Sequence, residues 1–77
     1  MFGVTQSELR RLLLQYPKGT RLQLISMEDP YGVPEGTVGE VDFIDDAGQI
    51  HMNWETGSSL ALIPGVDRFW KIEIKIW

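Results

Sequence analysis

Three observations predict a mainly β fold opened by one short helix. From residue 20 onward, apolar and polar side chains alternate with a period of two. Clusters of Gly, Pro, Asp and Ser break that alternation into short runs. Helical spacing occurs in one place, near the start.

That helix is expected within residues 4–16. Thr5-Gln6-Ser7-Glu8 fits a capping box, with Thr5 as N-cap and Glu8 three residues on. Leu9, Leu12 and Leu13, with Tyr16, fall on one face, while Arg10, Arg11 and Gln15 lie elsewhere. Pro17 stops it, because the residue before a proline is pushed out of the α region. So short a helix is marginal alone and has to dock its leucine face on something; its own chain is the expected support.

The strands follow in order. Residues 20–27 alternate with Leu22 and Leu24 on one side, Arg21 and Gln23 on the other. Residues 28–36 hold Asp29-Pro30-Tyr31-Gly32 and Pro34-Glu35-Gly36, which read as a long loop. In the second strand, 37–44, Gly39, Val41 and Phe43 point inward, and the glycine signals a bulge or a close backbone approach. Asp45-Asp46-Ala47-Gly48 forms a hairpin turn, and the third strand, 49–54, aligns Ile50, Met52 and Trp54 against His51 and Asn53. A second hairpin turn at 55–58 leads to a brief fourth strand, 59–63, with Leu60 and Leu62 inward. Pro64-Gly65-Val66-Asp67 has the composition of a turn or a single 3₁₀ turn. In the last strand Trp70, Ile72, Ile74 and Ile76 alternate with Lys71, Glu73 and Lys75. Five short strands, one long loop, two tight hairpins and a turn before the last strand describe an SH3-like barrel over residues 19–77. The chain is expected to be one domain, 1–77, with the helix covering an end or edge of the barrel.

Composition sets further bounds. The 77 residues include no cysteine, so no disulfide or thiolate–zinc site supports the fold. Stability rests on burial of the 43% apolar residues, among them three Trp, three Phe and two Tyr. The net charge of −4 is uneven: Glu35, Glu40, Asp42, Asp45, Asp46, Glu55 and Asp67 lie in a stretch without a Lys or Arg. A nucleic-acid reader needs clustered positive charge, and the middle of this chain offers the reverse. No run approaches the ~18 apolar residues of a membrane span, and the first residues lack a signal peptide's basic and apolar regions. A cytoplasmic location is the expectation.

Several stretches resemble a known family. They are Gly19-Thr20-Arg21, Met27-Glu28-Asp29-Pro30-Tyr31, Pro34-Glu35-Gly36-Thr37-Val38-Gly39, Asp45-Asp46-Ala47-Gly48-Gln49-Ile50-His51, Asn53-Trp54, and Gly57 through Asp67. Together they are similar to domain-of-unknown-function family 4314, short proteins of bacterial plasmids, integrative elements and phages. The resemblance covers about residues 17–72 and leaves the helix largely outside. It implies an SH3-like fold and a bacterial or mobile-element setting. It implies no activity and carries over no catalytic residue.

Candidate chemistry is sparse. His51 is the single histidine, mid-strand, with Asp45, Asp46 and Glu55 expected at hairpin ends away from it, so no metal set forms. Asp42, Asp45 and Asp46 lack the spacing of a calcium loop. Ser58 and Ser59 have neither a histidine in register nor a Gly-x-Ser-x-Gly elbow. Gly36-Thr37-Val38-Gly39 has no phosphate-binding Lys and no helix after it. The reading is a non-enzymatic module with no cofactor, binding a protein partner. SH3-like barrels bind peptides between the long loop and a hairpin, using aromatics with acidic neighbours. Asp29, Tyr31, Glu35 and Trp54 are expected nearest such a groove, with Asp45 and Asp46 supplying charge for a basic partner. Two readings stay open at the aromatics, since Tyr31 can staple its own loop and Trp54 can be core.

The alternative is a KOW-like nucleic-acid adaptor. It rests on Gly36-Thr37-Val38-Gly39-Glu40-Val41 and a basic patch of Arg10, Arg11, Lys18 and Arg21, joined by Arg68, Lys71 and Lys75. It ranks second because no stacking platform is interleaved with those residues. A homodimer is a further expectation, through the helix or through the last strand. There Trp70, Ile72, Ile74 and Ile76 line one face, with Phe69 and Trp77 on the other, and apolar residues on both faces need cover.

Overall fold

In the computed structural model, residues 4–29 and 31–72 are described. Helix α1 spans Gln6–Gln15 with Thr5 as its N-cap, as the sequence predicts. The Glu8 N–H donates to the Thr5 hydroxyl oxygen at 3.2 Å, and that hydroxyl donates to Glu8 Oε1 at 3.0 Å. At the other end the Tyr16 N–H reaches the Leu12 carbonyl before Pro17 turns the chain. Leu9, Leu12 and Tyr16 are half-buried, whereas Leu13, expected on the same face, is exposed at its margin with Leu14.

Four antiparallel strands follow: β1 (Arg21–Ser26), β2 (Val38–Ile44), β3 (Ile50–Trp54) and β4 (Arg68–Lys71). They form one sheet in the order β3-β2-β1-β4, so the last strand returns beside the first. Leu22, Leu24, Val41, Ile50, Met52 and Trp54 turn inward and, with Val33 and Leu62, make the core. Burying apolar side chains at ~25 cal/mol per Å² is the dominant favourable term.

The expected fourth strand, 59–63, is not formed. Leu62 alone bridges to Ile50, exchanging N–H···O bonds of 2.8 and 2.9 Å. Side chains divert the neighbouring backbone groups: the Leu60 N–H donates to Ser58 Oγ, and the Leu60 carbonyl accepts the Trp54 indole N–H. Pro64 then has no N–H to offer a ladder. The described sheet therefore has four strands rather than five, and it is open. The outer part of the last expected strand, with Ile74, Ile76 and Trp77, lies outside the described residues.

Phe43 is a second correction. The register of β2 against β3 shifts between Val41 and Phe43, which leaves Asp42 as the extra residue of a bulge. Phe43 is thereby rotated to the outer face, 52% exposed, and stacks on the imidazole of His51 with centroids 4.2 Å apart. Trp70 likewise faces outward, 60% exposed, its indole N–H donating to Gln23 Oε1, while Phe69 takes the core side.

Gly39 marks a close approach rather than the bulge. A Cβ there would sit 2.7 Å from Trp54 Cε3 and 3.0 Å from the Asn53 carbonyl oxygen. Gly39→Ala is expected to destabilise the domain by about 1–3 kcal/mol, the usual penalty for overpacking a core. Urea denaturation checks this, through a lower midpoint at unchanged slope.

Candidate functional site

Two loops and the end of a hairpin enclose one cleft. The chain leaving β1 (Met27, Glu28, Asp29) forms one wall, the 60–67 segment the other, and Gln49 closes the end. The volume is about 240 Å³, below the roughly 300–1,000 Å³ typical of small-molecule pockets. Its walls are apolar at Met27, Leu60, Ala61, Ile63 and Val66, and acidic at Glu28, Asp29 and Asp67.

Local hydrogen bonds explain why these elements hold their shape. The long loop folds back on β1 through Gly36 N–H to the Leu24 carbonyl and Leu24 N–H to the Thr37 carbonyl. Asp29 Oδ1 accepts the Tyr31 N–H at 2.8 Å, an Asx-type turn that pins the loop tip. On the opposite wall Asp67 is only 8% exposed, and its Oδ2 accepts the Ile63 N–H at 2.8 Å. The Asp67 N–H returns to the Ile63 carbonyl, so one residue closes the turn through both its backbone and its side chain.

The expected groove residues are dispersed. Asp29 lines the cleft, and Tyr31 stands two residues beyond it, 93% exposed and stapling nothing. Glu35 is exposed on the same loop, outside the lining. Trp54 is 4% exposed and belongs to the core, so the core reading of that residue holds. Asp46 is exposed on its turn, whereas Asp45 is tied into the structure. Met27, Glu28, Gln49, Leu60, Ala61, Ile63, Val66 and Asp67 line the cleft without having been singled out as groove residues. The one signal for Asp67 was a lone acid closing an otherwise apolar turn.

Asp45 also corrects the placement of His51. The two side chains meet, with His51 Nε2 2.8 Å from Asp45 Oδ2. Asp45 Oδ1 accepts the N–H groups of Ala47 and Gln49 at 3.0 and 2.9 Å. The His51 hydrogen bond, supported by these two backbone donors against the partial burial, holds the Asp45 carboxyl below its usual range. A carboxyl whose pKa is depressed on folding adds stability above its unfolded value and loses it as pH falls through the folded value. The stability advantage of the native chain over Asp45→Asn is therefore expected to shrink as pH falls below about 4, the unfolded carboxyl value. Thermal melts from pH 7 to pH 2 measure this.

The basic residues are partly committed. Lys18 pairs with Asp42 at 3.4 Å, and Arg21 reaches Glu55 at 3.2 Å and Glu40 at 4.0 Å. Lys71 lies over the Tyr16 ring. Among the described residues no group of three or more His, Cys, Asp or Glu is placed to hold a metal ion. No described helix is long and apolar enough to cross a membrane.

Sheet, helix and cleft define a small mainly β domain with a solvent-facing acidic recess. The chain belongs to the family described as Domain of unknown function (DUF4314), which it matches over residues 5–72. The match takes in α1, so the helix is part of the family's domain and not an addition outside it, as residues 17–72 alone had suggested. No curated protein and no solved structure matches the chain.

Proposed function

We propose that the chain is a non-enzymatic, SH3-like interaction module of a bacterial or mobile-element system, acting in the cytoplasm, and that it binds a segment of a protein partner in this cleft. The barrel reading is supported by the sheet order and by the Leu62 bridge, which adds a fifth element beyond β3. The observation that carries the function is the cleft itself: apolar walls between the long loop and the last turn, sized for side chains rather than for a small molecule. Extended peptides dock into such sites through a few anchoring side chains. Ile63 and Val66 are partly exposed on its wall, and apolar surface of this kind gains by being covered. The KOW-like alternative is weakened because Lys18 and Arg21 already face carboxylates. The homodimer remains a separate proposal, with Trp70 and α1 as its accessible apolar surfaces.

A peptide library displayed against the whole chain tests the reading. Binders are expected, and Ile63→Lys with Val66→Lys is expected to abolish their capture, while Arg10→Glu with Arg11→Glu leaves it unchanged. Retention on RNA or DNA at low salt, falling steeply as salt rises, together with no peptide binder, would contradict it.

A further inference from the structure

We infer that the cleft is selective for a basic side chain, lysine or arginine, of the bound segment, and that Asp67 supplies the buried counter-charge. This rests on the cleft being the partner site. Asp67 uses Oδ2 to hold the Ile63 N–H, and Oδ1 accepts no hydrogen bond from any described residue. Yet among the described residues no fully buried side-chain oxygen lacks a partner. Oδ1 therefore keeps some access to solvent, although the residue is only 8% exposed, and Asp67 is one of the residues that line the cleft.

Three facts select the ligand. Glu28, Asp29 and Asp67 line the cleft, and among the described residues no Lys, Arg or His does. No described salt bridge neutralises any of the three. The remaining lining suits an aliphatic stem: lysine and arginine lay their methylenes along apolar surface while the charged head finds a carboxylate. Met27, Leu60, Ile63 and Val66 supply that surface. A carboxylate oxygen pre-positioned by its partner oxygen's backbone bond gives a short charge-assisted hydrogen bond at little ordering cost. An acidic or purely apolar side chain would leave the carboxylates uncompensated.

The test uses the full chain and peptides drawn from the displayed library. Binders are expected to share one Lys or Arg, and replacing it with norleucine is expected to weaken binding about tenfold or more. Asp67→Asn, which keeps an oxygen for the Ile63 N–H, is expected to cause the same loss and to erase the difference between the basic and norleucine peptides. Should Asp67→Asn lose its native amide spectrum, Glu28→Gln with Asp29→Asn, both exposed, is expected to reduce that difference. Binders that map to the cleft but carry no basic residue, or that ignore Asp67→Asn and the rim pair, overturn the inference and leave the partner site standing. Binders that map elsewhere, or no binders, overturn both.

Discussion

Trp54→Ala is expected to destabilise the domain by about 3–5 kcal/mol, from a quarter of its stability to all of it. The side chain is almost wholly enclosed, its ring lies over Gly39, and its indole N–H holds the Leu60 carbonyl at 2.8 Å. Truncating a buried aromatic to alanine typically costs 3–5 kcal/mol. A 77-residue domain commands only about 4–12 kcal/mol in total, at roughly 0.05–0.15 kcal/mol per residue. Loss of the Trp54 bond also frees the Leu60 carbonyl, at the start of the 60–67 segment that is one wall of the cleft. Urea or thermal melts followed by circular dichroism decide the matter; a loss under 1 kcal/mol would contradict the placement of Trp54 in the core. Tyr31→Ala, at a fully exposed position, is expected within about 0.5 kcal/mol of the native chain. The two aromatics are thus different instruments. Tyr31→Ala can report on binding, whereas lost binding in Trp54→Ala reports unfolding.

Gly48→Val carries the second large effect, and it tests how the helix is held. Gly48 adopts φ +82°, where a side chain costs about 1–2 kcal/mol. A Cβ there would also lie 2.8 Å from Val4 Cγ1, which would have to give way, and in ordinary contact with Leu12 Cδ1 of α1 at 3.5 Å. Overpacking adds about 1–3 kcal/mol, for a total of roughly 2–5 kcal/mol. Gly57→Val is the control: φ is +90°, but nothing lies within 4 Å of the added carbon. The excess of the first loss over the second measures the docking of α1 on its own chain. Val4→Ala in the Gly48→Val background is expected to recover part of it. Equal losses at the two glycines, by thermal or urea midpoint, would show that α1 does not rest on the 45–48 turn.

The core was legible because a period of two survives wherever the ladder is regular. Leu22 and Leu24, then Ile50, Met52 and Trp54, face inward as alternation requires. Alternation fails at Phe43, since one extra residue in a bulge reverses every later side chain and leaves no unambiguous mark in composition. It fails again at 59–63, where Ser58 and Trp54 take the hydrogen bonds of Leu60 that a strand would need. Sequence proximity misled at His51: Asp45 looked remote at the hairpin end, but the shifted register and the turn bring its carboxylate back across the pair. Little of the cleft was legible. Asp29 could be placed because acidic residues in a long loop are visible as such. Asp67 could not, because its role depends on which oxygen the turn consumes.

The most direct measurement is an amide chemical-shift map of the isotope-labelled whole chain, titrated with a peptide that it selects from a displayed library. The largest changes are expected at residues 27–29, at Gln49 and across 60–67, with α1 and the outer sheet face around Gln23 and Trp70 unaffected. Changes centred on Arg10 and Arg11, or on the Gln23–Trp70 face, with the cleft residues silent, would contradict the cleft as the binding site.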